Sequence, residues 1–256
     1  MPCTSASQAP APSGAVRGWV HSVETGGTAD GPGIRYVLFL AGCPLRCRYC
    51  HNPDTRHMHD GTPEFSPEIV ADIANYATFL KKANGGVTIS GGEPLVQPEF
   101  CAAILRGAKG LGLHTALDTS GFLGDHADDY LLADVDLVLL DIKAFKESTY
   151  RALTGVPLRP TLEFAERLSQ MGKTIWLRYV LVPGLTDDLK EIDALAEFAA
   201  GLGVVERVDV LPFHKLGEFK WRSLGVAYTL ADTEPPSLEQ TDRVRDRFRA
   251  HGLWVA

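Results

Sequence analysis

The feature that most constrains this fold is an alternation. Short apolar runs rich in β-branched residues recur along the chain, and segments of helical period separate them. This predicts strands over 35–40, 86–90, 114–118, 137–141, 174–182 and 208–211. The runs are nearly continuous in apolar character, as in parallel strands covered on both faces. Ser66, Pro67 and Glu68 form a helix-start signal, and Ile69, Ile73, Tyr76 and Leu80 follow as its inward stripe. A second helix carries Phe100, Ala103, Ile104 and Leu111. A third runs over 160–171 to a stop at Gly172. A fourth opens at Thr186, a last one covers 238–249, and 125–133 is a weaker helix. Strict β–α alternation implies parallel strands joined by crossover helices. Six units fall short of a closed eight-fold barrel. The expected class is therefore α/β, a partial (βα)6 barrel with its site at the carboxyl-end rim.

The 256 residues suffice for one large domain. Residues 1–17 are rich in Ala, Pro and Ser and lack the basic and apolar parts of a secretory signal. They read as a disordered leader before a single domain over 18–256. The segment from about 215 to 236 reads as an irregular tail covering one end of the barrel. Net charge is −7, which argues against nucleic acid as a partner. No apolar run approaches the ~20 residues of a membrane span. A cytoplasmic protein with reduced thiols is expected.

Five cysteines are present, and Cys43, Cys47 and Cys50 fall within eight positions, directly after the first expected strand. In a cytosolic chain such clustering points to metal or catalysis. The C-x₃-C-x₂-C spacing can wrap one face of an iron–sulfur cluster. Three thiolates would leave one iron free to bind a small molecule. The competing readings are a structural zinc site completed by His51, His57 or His59, and three unrelated buried thiols. Cys3 reads as a stray thiol and Cys101 as a core residue.

The cysteine motif, followed by Ser90-Gly91-Gly92-Glu93-Pro94 at the end of the next strand, resembles the radical S-adenosylmethionine superfamily. The likeness narrows over residues 21–35 (HSVETGGTADGPGIR), GCPLRCRYCHNPDT, LDTSGF, LVLLDIK, WLRYVLVPG and LPFHKLGEFKW. In order, from about residue 18 to the C-terminus, these are similar to the activases of glycyl-radical enzymes, those serving pyruvate formate-lyase in particular. The resemblance implies one [4Fe–4S] cluster on Cys43, Cys47 and Cys50, with S-adenosylmethionine on the open iron. It implies an electron from reduced flavodoxin or ferredoxin, and a 5′-deoxyadenosyl radical that takes hydrogen from a glycine Cα of pyruvate formate-lyase. Activases of other glycyl-radical enzymes often carry an extra cysteine-rich insert after the first loop. Here no cysteine lies between Cys50 and Gly91. A non-enzymatic zinc-binding protein is the alternative from another class.

Residue roles follow from the same resemblance. Tyr49 is expected near the adenine, with His51 and Asn52 as further cofactor contacts. Gly91 and Gly92 are expected at the methionyl amino group, with Glu93 shaping the strand end. Asp118, Thr119 and Asp141 are expected to hold a monovalent cation beside the cofactor carboxylate. Ile142, Lys143, Arg178 and His214 complete the expected cofactor set. Asp30, in a turn shaped by Pro32 and Gly33, is expected to hold the target's glycine loop. A monomer is expected.

Overall fold

The computed structural model describes residues 14–256. The greater part of the expected leader, with Cys3, lies outside them. Eight strands form one sheet. Two come first, β1 (Arg17–Gly27) and β2 (Arg35–Leu40), then β3 (Thr62–Phe65) and the helix α1 (Ser66–Lys82). There follow β4 (Gly86–Gly91), α2 (Pro98–Gly110), β5 (His114–Thr119), α3 (Asp129–Ala133) and β6 (Leu137–Asp141). Next come α4 (Glu147–Thr154), α5 (Arg159–Gln170), β7 (Thr174–Leu181), α6 (Leu189–Leu202) and β8 (Val205–Pro212). The chain ends with α7 (Glu218–Ser223) and α8 (Leu238–Ala250). The sheet order is β3-β1-β2-β4-β5-β6-β7-β8. The last six are parallel, while β1 is antiparallel to both β2 and β3. The six parallel strands are the open barrel expected from the alternation.

The antiparallel pair was not expected from the sequence. Strand β1 is largely exposed along its second half and contains Gly26 and Gly27, so it lacks a sustained apolar run. Arg17 already pairs with Phe65, and the Val16 N–H donates to the Ser66 hydroxyl. The ordered domain therefore begins before residue 18. Ser66 starts α1 but spends its hydroxyl on Val16, just ahead of β1, rather than on its own helix. Likewise α6 is capped by Asp188, whose side chain accepts from the Lys190 N–H. Thr186 instead bonds Val180 O and Val182 N across the end of β7. Residues 125–133 resolve into a 3₁₀ turn and the short α3.

Side chains alternate across each strand. Val87, Ile89, Leu117, Val138 and Leu140 pack outward under the helices, in the main core. Each such side chain, fully buried, contributes about 1.5–3 kcal/mol. The opposite set faces the barrel interior, where Ala116, Leu137, Leu139 and Trp176 form a separate small cluster. Above that layer the interior turns polar. The register brings Asp141 opposite Arg178, and Arg178 opposite Asp209.

Candidate functional site

A cavity of about 450 Å³ opens at the carboxyl ends of the parallel strands. Cys43, Cys47 and Cys50 all line it. Their loop is short, and the surroundings hold its backbone. Gly42 and Cys43 donate to Thr55 O and Arg56 O. Arg46 and Arg48 donate their backbone N–H groups to Thr154 O and Leu153 O, so the end of α4 buttresses the loop. The loop carbonyls are also claimed. Arg46 bonds Cys43 O at 2.6 Å, Arg56 bonds Cys47 O at 2.9 Å, and the Trp221 indole bonds Cys50 O at 2.8 Å. The sulfurs are free thiols. Burial pushes Cys43 and Cys47 up to about 12 and raises Cys50 as well. A metal that binds them displaces their protons.

The end of β4 lies directly on this loop. Gly92 N donates to Leu40 O, and Glu93 N to Gly42 O. Gly91 has φ +121°, and a Cβ there would meet Leu40 N at 2.2 Å. A Cβ on Gly92 would meet Gly42 O at 2.3 Å. The two glycines thus let strand end and cysteine loop touch, and both line the cavity. Glu93 is buried and its carboxylate is spent within the chain. It accepts from Leu95 N, from the Thr119 hydroxyl at 2.6 Å, and from the backbone and hydroxyl of Ser120. Burial raises its pKa, and those four donors oppose the rise. The Thr119 hydroxyl, which also accepts from Gly121 N, is committed too.

Asp118 is different. One carboxylate oxygen, Oδ2, accepts from the Ser90 hydroxyl at 2.6 Å and meets Arg178 Nη1 at 3.2 Å. The other, Oδ1, is buried without a partner. Burial raises the Asp118 pKa against the pull of Arg178. The Asp118 carboxylate, in turn, is the main cause holding Arg178 above its ordinary range. The same Nη1 lies 3.8 Å from Asp30 Oδ1. Asp141 pairs with Lys143 at 3.4 Å, and the Lys143 ammonium sits 5.9 Å from the centre of the Tyr49 ring.

Tyr49 packs on Leu153, Val182, Phe213 and Leu230, and its buried hydroxyl has no partner. His51 and His214 stack at 4.0 Å between ring centres, and His51 Nε2 approaches His214 O at 3.3 Å. Burial, then the neighbouring His214, lowers the His51 pKa. The tail after β8 packs over the outside of the cysteine loop. Gly217 abuts His51, Lys220 bonds Asn52 and Asp54, and Arg48 bonds Thr229.

The cavity gathers the expected residues with two exceptions. Ile142 is fully buried in the main core, because it alternates with Asp141 and Lys143 and so points to the helix side. Asp30 is not on the cavity wall, although its neighbour Ala29 is. The sequence reading missed Ser90, Ser120, Arg56 and Trp221. Ser90, Ser120 and Trp221 lay inside the motifs quoted above without a role of their own, and Arg56 is marked only by its three-dimensional partner. His57 and His59 do not line the cavity, and His59 stacks edge-on against Trp19. Among the described residues, no three His, Cys, Asp or Glu side chains converge on a single-ion position.

Comparison with known proteins is consistent across sequence and structure. Residues 37–199 match the family model of the radical SAM (S-adenosylmethionine) superfamily. The chain is 44% identical to the pyruvate formate-lyase-activating enzyme of Staphylococcus epidermidis, over 91% of this chain and 95% of that protein. It is 41% identical to the pyruvate formate-lyase 1-activating enzyme of Escherichia coli K12, over 93% of this chain and 97% of that one. A crystal structure of a domain of pyruvate-formate lyase-activating enzyme from Bacteroides vulgatus superposes with a TM-score of 0.57 at 28% identity. It covers 67% of this chain and 98% of that one. The chain belongs to the radical S-adenosylmethionine superfamily and, within it, to the family of pyruvate formate-lyase-activating enzymes.

Proposed function

We propose that Cys43, Cys47 and Cys50 hold the family's [4Fe–4S] cluster, and that the cavity beside them takes S-adenosylmethionine. The observation that carries this reading is the convergence of three free thiols on one cavity at the ends of six parallel strands. Two features of the bare site fit the groups. Asp118 Oδ1 and the Tyr49 hydroxyl are buried polar atoms on the cavity wall without protein partners. Such orphans are rare unless a ligand or ion satisfies them. The glycine pair also keeps the cavity wall beside Cys43 free of side chains.

When bound, the cluster and S-adenosylmethionine would supply a one-electron reductive cleavage and, from it, the hydrogen-abstracting power that makes a glycyl radical at a glycine Cα of pyruvate formate-lyase. The chain's own residues bind, orient and exclude water. Gly91 and Gly92 offer a backbone edge to the methionyl amino group. Asp118 and Asp141 supply negative charge for a monovalent cation beside the cofactor carboxylate. The Thr119 hydroxyl already donates to Glu93 and accepts from Gly121 N, so Thr119 offers its backbone carbonyl and one remaining hydroxyl lone pair there. Glu93 holds the strand end rather than the ligand. Tyr49 presents a flat ring to the adenine, and Lys143, His51 and His214 flank it. Asp30, beside Arg178, meets the target's glycine loop. A reduced flavodoxin or ferredoxin provides the electron. The protein acts in the cytoplasm; no helix among the described residues is long and apolar enough to cross a membrane. The protein acts as a monomer, as one domain behind its N-terminal leader.

The decisive experiment is anaerobic reconstitution, reduction, and mixing with pyruvate formate-lyase and S-adenosylmethionine. A glycyl-radical signal by electron paramagnetic resonance is expected, with about four irons per chain. Colourless protein holding one zinc would overturn the assignment. A radical on a different glycyl-radical enzyme, and none on pyruvate formate-lyase, would redirect the target.

A further inference from the structure

Arg35 is fully buried at the start of β2; no carboxylate lies within ion-pair distance of it among the described residues, and Asp136 and Asp30 act on its charge only from further away. A buried charge without a counter-ion is costly unless its hydrogen bonds are complete. Here all are used. Nε–H donates to the Thr88 hydroxyl at 2.9 Å. Nη1 reaches Pro32 O at 3.4 Å and His114 Nδ1 at 3.2 Å, and Nη2 donates to Val87 O and His114 O. Space has been cleared for this guanidinium. A Cβ on Gly86 would sit 2.8 Å from Nη1, and one on Gly31 would sit 3.2 Å from Nε.

Three of these bonds tie Arg35 to Val87 and His114 on β4 and β5, and the other two lead to the 28–34 connection between β1 and β2. Pro32 O is held directly. Asp30 O is held through a relay, since the Thr88 hydroxyl accepts from Arg35 Nε–H and donates to Asp30 O at 2.6 Å. Gly31 and Gly33 adopt left-handed φ of +127° and +68°, and Gly33 is seated where a Cβ would strike Asn84 O at 2.2 Å. The connection is thus pinned from below so that the Asp30 carboxylate rises to Arg178. Arg35 itself does not line the cavity.

We infer that Arg35, acting through Thr88, is the positioning residue that sets Asp30 for the target's glycine loop. This rests on the reading of Asp30 given above. The test uses the anaerobically reconstituted holoenzyme and two readouts. One is the rate of glycyl-radical formation against concentration of pyruvate formate-lyase. The other is target-independent release of 5′-deoxyadenosine with a chemical reductant. Thr88→Val and Arg35→Lys should each raise KM for the target about tenfold, the scale of one lost hydrogen bond to an oriented group. Both should leave target-independent cleavage within about twofold, well below that tenfold step. Thr88→Val combined with Asp30→Asn should be no worse than Asp30→Asn alone, the sign of one coupled unit. If Arg35→Lys does not fold, Thr88→Val still decides the matter. Equal losses in both readouts, or additive losses in the double variant, overturn the inference and leave Arg35 a structural residue. A target KM raised by Asp30→Asn but not by Thr88→Val overturns the inference alone. A target KM that Asp30→Asn leaves unmoved overturns the reading of Asp30 and the inference with it.

Discussion

The two ends of the barrel interior treat buried polarity in opposite ways. At the amino end, Arg35 has every N–H engaged, and its partners Thr88 and His114 are locked with it. At the carboxyl end, Asp118 Oδ1 and the Tyr49 hydroxyl are left over, and three thiols line open space. A closed network specifies one arrangement and accepts nothing more. An incomplete one costs stability until a ligand completes it. The floor therefore reads as scaffold and the rim as site. Glu93 tests that division, because it stands at the rim yet is as fully satisfied as the floor.

The largest effect should separate rim from fold altogether. Cys47→Ala is expected to reduce S-adenosylmethionine cleavage to background. Far-UV circular dichroism should be unchanged, and stability should fall by no more than about 1 kcal/mol, since only a small buried group is deleted. The measurement is 5′-deoxyadenosine release under strict anaerobiosis, beside a urea unfolding curve of the apo protein. Cleavage retained in this variant would show that the thiols lining the cavity are not the cluster's ligands.

The next effect sharpens the comparison within the rim. Glu93→Gln turns one acceptor oxygen into a donor that faces donors already in place. About 2–4 kcal/mol of stability should be lost. In a chain this long that is a fall in Tm of roughly 5–15 °C. Asp118→Asn keeps an acceptor for Ser90 and Arg178 and changes an oxygen that had no partner. It should cost less than half as much stability, while weakening S-adenosylmethionine binding measured by calorimetry on the cluster-loaded protein. The reverse order, with Asp118 the stability residue and Glu93 the binding residue, would dissolve the distinction between satisfied and unsatisfied carboxylates.

How much of this was legible in the sequence follows from the same physics. The six parallel strands announce themselves because burial on both faces demands nearly continuous apolar runs, as in Leu137–Leu140. The β1 strand does not, because much of it is exposed and its pairing partners, not its composition, make it a strand. The cysteines and the strand-end residues were readable by spacing and order. The Ile142 side chain goes to the core, and a motif names neighbours without saying which face each one takes. Alternation alone would have sent it to the core. The roles of Arg56 and Trp221 were not readable, for another reason. Each acts by capping a carbonyl of the cysteine loop, and no local pattern in residues 53–60 or 215–236 encodes that distant partner.

The smallest effect probes the floor, through pH. His114 is half-buried at the start of β5, and its Nδ1 faces Arg35 Nη1 at 3.2 Å. Arginine can only donate, so Nδ1 must accept, and a protonated imidazole would set two donors against each other. Burial is the larger cause lowering the His114 pKa and the Arg35 guanidinium the next, while Asp136 opposes them. The unfolded value is about 6.5. A folded value below it means the native state binds its proton later than the unfolded state does. The stabilisation is therefore whole above the unfolded value and is lost as pH falls through the folded one. Urea unfolding at pH 7.5 and 5.5 should show wild type losing stability over that interval. His114→Gln keeps an acceptor for Arg35 and cannot take a proton, so its loss should be smaller. Equal losses in the two proteins would mean that the floor does not depend on a neutral imidazole, and that its hydrogen-bond closure is looser than the distances imply.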